Sequence, residues 1–113
     1  MDAILRHITP STVLTLADQV DYQPGQIASM TLVQNQAVSF TLFAFDKDEE
    51  ISTHEANGDA LVTVLDGVGR VILDGVSHEL RAGQSIVMPA HTPHSVSGIE
   101  QFKMSLLVIS PAV

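Results

Sequence analysis

The chain has no cysteine and no tryptophan, and only five of its residues are lysine or arginine. Without cysteine there is no disulfide framework and no thiolate zinc site. Thirteen acidic residues against five basic ones leave a formal net charge of -8. Neutralising phosphates takes a clustered basic patch, so neither nucleic acid nor an anionic membrane surface is an expected partner. No apolar run approaches the length of a membrane span. Asp2, Arg6 and His7 interrupt the apolar core a signal peptide would need. A cytoplasmic location is therefore expected.

What remains is a length of 113 residues, enough for one compact domain with its own core. Residues 1–26 read as an N-terminal arm, in which Ser11 or Thr12 caps a short helix over 15–20. Tyr22-Gln23-Pro24-Gly25 is a turn signal. Residues 27–113 read as a barrel of strands. Ile27 to Val33 is the first run. The second, 37–45, alternates Val38, Phe40, Leu42 and Ala44 with Ser39, Thr41, Phe43 and Phe45, and its β-branched and aromatic content favours strand. The charged segment 46–50 is a solvated connection.

Asp-Gly occurs at 66–67 and again at 74–75. This dipeptide suits a tight hairpin, where both central residues need positive φ. The spacing predicts a meander of three strands, 60–66, 68–74 and 76–80. Further strands are expected over 84–88, 95–97 and 101–110. In the last of these, Lys103 and Ser105 share one face, so Phe102, Met104, Leu106 and Val108 point inward. Eight or more short strands with turns every few residues point to an all-β sandwich or barrel.

Two segments place histidine beside an apolar strand: Thr53-His54-Glu55 leading to 60–67, and Gly83 through Pro89 to His91 and His94. Together they resemble the two-part motif of the cupin superfamily, over about residues 37–110, and look most like its small single-domain members. The resemblance implies a double-stranded β-helix (jelly-roll) barrel, frequently dimeric, with a divalent metal held inside by three histidines and a glutamate. His94 falls on the second motif's histidine and His91 on its glycine. Counting back seven from Gly67, the glutamate position holds Ala60. His54 is the one histidine of the first motif.

The metal candidates are therefore His54, His94 and His91, with Asp59 as a further donor if its strand begins late. Imidazole suits Zn, Fe, Cu and Ni, and carboxylates extend the choice to Mn. Against a ligand role, His91 reads more readily as a turn residue that tolerates the left-handed conformation. His7 lies in the arm, outside the site, and His78 reads as solvated. Ala60, Phe40, Met88 and Met104 are expected to line the pocket, and Leu61 and Leu65 to face a second subunit of a homodimer.

The leading reading is a small cupin whose histidine pocket binds or transforms a small organic molecule by oxygenase- or isomerase-type chemistry. Two others stand beside it: a non-catalytic ligand-binding or sensory barrel with a degenerate metal site, and a metal-independent isomerase or epimerase with a histidine base.

Overall fold

A computed structural model describes residues 4–112. Seven strands follow one short 3-10 turn: β1 (Ile27–Gln34), β2 (Val38–Phe45), β3 (Glu50–His54), β4 (Asp59–Leu73), β5 (Val76–Arg81), β6 (Ser85–Met88) and β7 (His94–Ile109). No helix among the described residues is long and apolar enough to cross a membrane. The 3-10 turn, Leu16–Gln19, stands where a helix over 15–20 was expected. Its N-cap is Thr15, whose side chain makes no capping bond, so the turn is not propagated into an α-helix.

β4 and β7 are the frame. They pair antiparallel along nearly their whole length, from Asp59 opposite Ile109 to Leu73 opposite His94. Near their middles the register shifts twice, between Val64 and Asp66 and between Gly67 and Gly69. Each strand therefore belongs to two sheets. On one side of the bend the order is β1-β2-β7-β4-β6, and on the other it is β3-β7-β4-β5. Two sheets sharing long bent strands make the jelly-roll arrangement that the resemblance implied, within the sandwich-or-barrel class expected from the strand spacing.

This bend corrects two readings. Asp66-Gly67 is not a hairpin: β4 runs straight through it, and the pair forms an irregularity in a continuous strand. The segments 95–97 and 101–110 are likewise one strand, β7, rather than two. The eight expected strands thus become six, and β3, a strand not expected from the sequence, makes seven. Asp74-Gly75 is the real two-residue hairpin, with φ of 49° and 80°, as a turn of this hand requires.

Two apolar clusters lie on opposite faces of the larger sheet. The inner one fills the barrel with Phe45, Val62, Val64, Phe102 and Met104, joined by Leu106 and Val108, so β7 alternates as expected. The outer one places Leu32, Leu42 and Ala44 under Leu16, Val20 and Tyr22 of the arm. The arm is thus the lid of a second small core. Leu65 is covered by it and does not face outward, whereas Leu61 lies beside Val87 and Leu107 on the part of the sheet the arm leaves bare.

Candidate functional site: a histidine pair at the barrel rim

His94 opens β7 and alternates with Val96, which packs in the barrel cluster, so its ring points inward. His54 ends β3. Counting alternately from the inward Ile51 would turn His54 to the outside. The register shift between Ile51 and His54 reverses that parity and sets His54 directly opposite His94. Directly opposed residues on one sheet face hold their side chains within reach of each other. The two rings meet edge to face, with centroids 4.3 Å apart. Their Nε2 atoms are separated by 3.1 Å.

Both rings are anchored in the same way. Nδ1 of His54 donates to the carbonyl of Ser52 and Nδ1 of His94 to that of Thr92, each at 3.0 Å. A carbonyl cannot donate, so Nδ1 carries the hydrogen in both rings. In the neutral pair both Nε2 atoms are then bare, with their lone pairs directed at one region. Only a shared proton or a cation satisfies such a contact. Burial pushes the pKa of the His94 imidazole below its ordinary value, with a further push from His54. The Thr92 carbonyl and the Glu55 carboxylate act in the opposite direction. His94 is only 4% exposed, whereas His54 is open to solvent. The pair thus has one buried member and one facing the entrance.

The other candidates are placed differently. Among the described residues, no three His, Asp or Glu side chains come together as a metal-holding group. His91 does not join the pair. Its φ is 61°, the left-handed conformation a glycine would supply, and its N–H donates to the Ala56 carbonyl at 2.8 Å. Asp59 is exposed, and its Oδ1 accepts the Ala90 N–H at 2.9 Å. Alternation turns it away from Ala60, so it fastens the rim loop 89–93 to β4. Together these two contacts hold the loops that follow His54 and precede His94.

The expected pocket wall is also corrected. Phe40 faces the outer cluster beneath the arm, because β2 turns Thr41, Phe43 and Phe45 toward the barrel instead. Ala60, Met88 and Met104 have almost no solvent contact, at 2%, 2% and 0% exposure. They are packed filling of the barrel, with Ala60 and Met88 paired across strands. His78 is half-buried on the same face of β5 as Leu80, not solvated. Glu55, whose carboxylate acts on His94, was not a candidate. Its signal was adjacency to His54 just past the end of β3, where strand alternation stops applying.

A small two-sheet jelly roll with paired histidines at its rim defines the class. The cupin domain family model matches residues 41–110, and the chain belongs to that family. It is similar over 99% of its length to a Streptococcus pyogenes protein of unknown function, at 38% identity and a TM-score of 0.95, covering 98% of that chain. A cupin superfamily protein from Desulfitobacterium hafniense is 29% identical, with a TM-score of 0.91 over 96% of this chain and 100% of that one. A cupin 2 conserved barrel domain protein from Leptotrichia buccalis is 43% identical, with a TM-score of 0.84. The match covers 86% of this chain and 47% of that one.

Proposed function

We propose that this cupin holds a divalent metal ion through Nε2 of His54 and Nε2 of His94 and uses it to bind a small organic molecule. The observation that carries the reading is the pair of bare Nε2 atoms 3.1 Å apart. Metal–imidazole bonds of about 2.0–2.1 Å bring both nitrogens within reach of one ion. The donor set is nitrogen only, which suits Zn, Fe or Ni better than Mn. Each Nδ1–H donated to a carbonyl fixes the tautomer that presents Nε2, the usual support of a ligating histidine. When bound, such an ion supplies Lewis-acid polarisation of a coordinated oxygen. The chain's own part is to keep both lone pairs aimed, to hold the rim loops through Asp59 and His91, and to exclude water below with Met88 and Met104.

Ala60 favours a second reading. A methyl group fills the family's carboxylate position and is itself buried. The pair then serves a ligand-binding barrel without metal, or acts as a neutral acid–base couple.

Calorimetric titration of chelator-treated protein with Zn2+, Ni2+, Mn2+ and Fe2+ separates the two readings. Saturable binding of one ion per chain, lost in both His54→Ala and His94→Ala, supports the metal site. No saturable binding of any of the four, or binding unchanged in both variants, overturns it.

A further inference from the structure

A groove between the arm and β1 lies apart from the histidine pair. It has a volume of about 440 Å³ and is lined by Ile4, Arg6, His7, Thr31, Val33 and Gln34. That volume lies within the range of about 300–1,000 Å³ usual for small-molecule sites.

Its lining is built by two main-chain features. The Arg6 N–H donates to the Leu32 carbonyl at 2.7 Å, so the arm is pinned alongside β1. His7 follows with a φ of 66°, an uncommon left-handed conformation for a residue with a side chain. A shift of β1 register between Thr31 and Val33 lies opposite this point. The arm thus brings a guanidinium and an imidazole to the β1 segment that carries Thr31 and Gln34.

The polar groups present are a guanidinium, which only donates, and hydroxyl, amide and imidazole groups, which both donate and accept. Thr31 and Thr41 hydroxyls share one hydrogen bond at 3.2 Å. The Thr31 hydroxyl keeps acceptor capacity, and its O–H is free wherever Thr41 is the donor. Gln34 adds an amide. The Arg6 guanidinium makes no side-chain hydrogen bond or ion pair among the described residues. The one ion pair found there is between Arg81 and Glu79. Lys103 is also engaged, donating to the Ala17 carbonyl.

From this we infer that the arm–β1 cavity is a binding site for a small organic monocarboxylate, held by the forked guanidinium of Arg6 with Thr31 and Gln34 beside it. Arg presents two parallel N–H donors that match a carboxylate's two oxygens. One fixed positive charge balances one negative charge, and a chain of net charge -8 disfavours a dianion. The inference does not depend on the metal reading, since no lining residue belongs to the histidine pair.

Two-dimensional 15N–1H NMR of the full chain in the presence of chelator tests this, with acetate, pyruvate and benzoate as probes. At least one of the three should shift the amides of Arg6, His7, Thr31 and Gln34 saturably, and added salt should weaken it. Acetamide and benzamide should not produce the shifts. Arg6→Gln, at an exposed position, should keep the rest of the spectrum and weaken the carboxylate roughly tenfold or more. His94→Ala should bind the carboxylate unchanged. No saturable shift with any of the three acids, equal binding by Arg6→Gln, or tighter binding of inorganic phosphate each overturns the assignment.

Discussion

The ring of Phe102 occupies the space that a Cβ on residue 69 would need: the nearest ring carbon lies 2.7 Å from that position. Phe102 cannot simply turn aside, because it is 1% exposed and stacks on Phe45 with centroids 4.5 Å apart. Gly69→Ala should therefore cost about 1–3 kcal/mol as an overpacked core position. Phe102→Leu in the same chain should recover part of that loss, a coupling that a double-mutant cycle in urea would measure. Gly67→Ala should be worse and should not be recovered in this way. There φ is 74° and the obstacle is main chain, with the Gln101 carbonyl oxygen 1.8 Å from the added carbon. Equal losses at 67 and 69 would mean that the bend relaxes around either residue.

Those glycines also explain how far the sequence could be read. Alternation along 102–108 assigned the inner face correctly, and along 37–45 it separated the two faces without telling which is inner, because a half-buried strand repeats every second residue. The same rule broke down wherever a strand bends. Asp66-Gly67 has the composition of a hairpin, and only the long pairing with β7 reveals a continuous strand. His54 was placed at the site by its resemblance to the family motif. The register shift that turns it inward leaves no mark on its neighbours in sequence. Phe40 was misplaced because both faces of β2 are apolar: one meets the barrel and the other the arm. His91 was open to two readings, and its positive φ shows the turn conformation. Arg6 and Thr31 line one groove from distant parts of the chain, so no local pattern signals it.

Asp59 gives a direct test of clamp against ligand. Its Oδ1 accepts the Ala90 N–H, a bond a carboxamide oxygen also makes. Asp59→Asn should therefore retain both thermal stability and the metal affinity proposed for the histidine pair. Asp59→Ala should lose about 1 kcal/mol of stability and weaken metal binding through a looser 89–93 loop. Melting curves and calorimetric titration of both variants provide the check. If Asn lowers affinity as much as Ala, the charge of Asp59 matters and its carboxylate belongs to the site.

Asp46 should make the molecule acid-sensitive. Its carboxylate accepts the Gly25 N–H at 2.7 Å, the Gln101 side-chain amide at 3.0 Å and the Lys47 N–H at 2.9 Å. These bonds, the Gly25 one foremost, hold its pKa below the ordinary 3.8. A carboxylate depressed in the folded state stabilises above its unfolded value and loses that contribution as pH falls through its folded value. The gap in melting temperature between the natural chain and Asp46→Ala should be widest near neutral pH and close below about pH 4. A constant gap down to pH 2 would show that the ionised carboxylate contributes nothing specific.

At the alkaline end the lone tyrosine is the reporter. The Tyr22 hydroxyl donates to Asp66 Oδ2 at 2.5 Å, and Lys103 lies 5.0 Å from the ring centre. Partial burial, then the hydrogen bond and negative charge of Asp66, push the phenol well above its ordinary 10.0. A group whose pKa is raised by folding contributes fully below its unfolded value and loses that contribution as pH climbs through the folded one. Stability should therefore fall above pH 10, and Tyr22→Phe should lack that component while losing about 1 kcal/mol near neutral pH. Because Tyr22 is the one tyrosine in the chain, phenolate absorbance reports this site alone. Its rise should lag that of free tyrosine and move back toward 10 in Asp66→Asn. A titration at the free value in the folded natural chain would show that the arm is not latched to β4 through this bond.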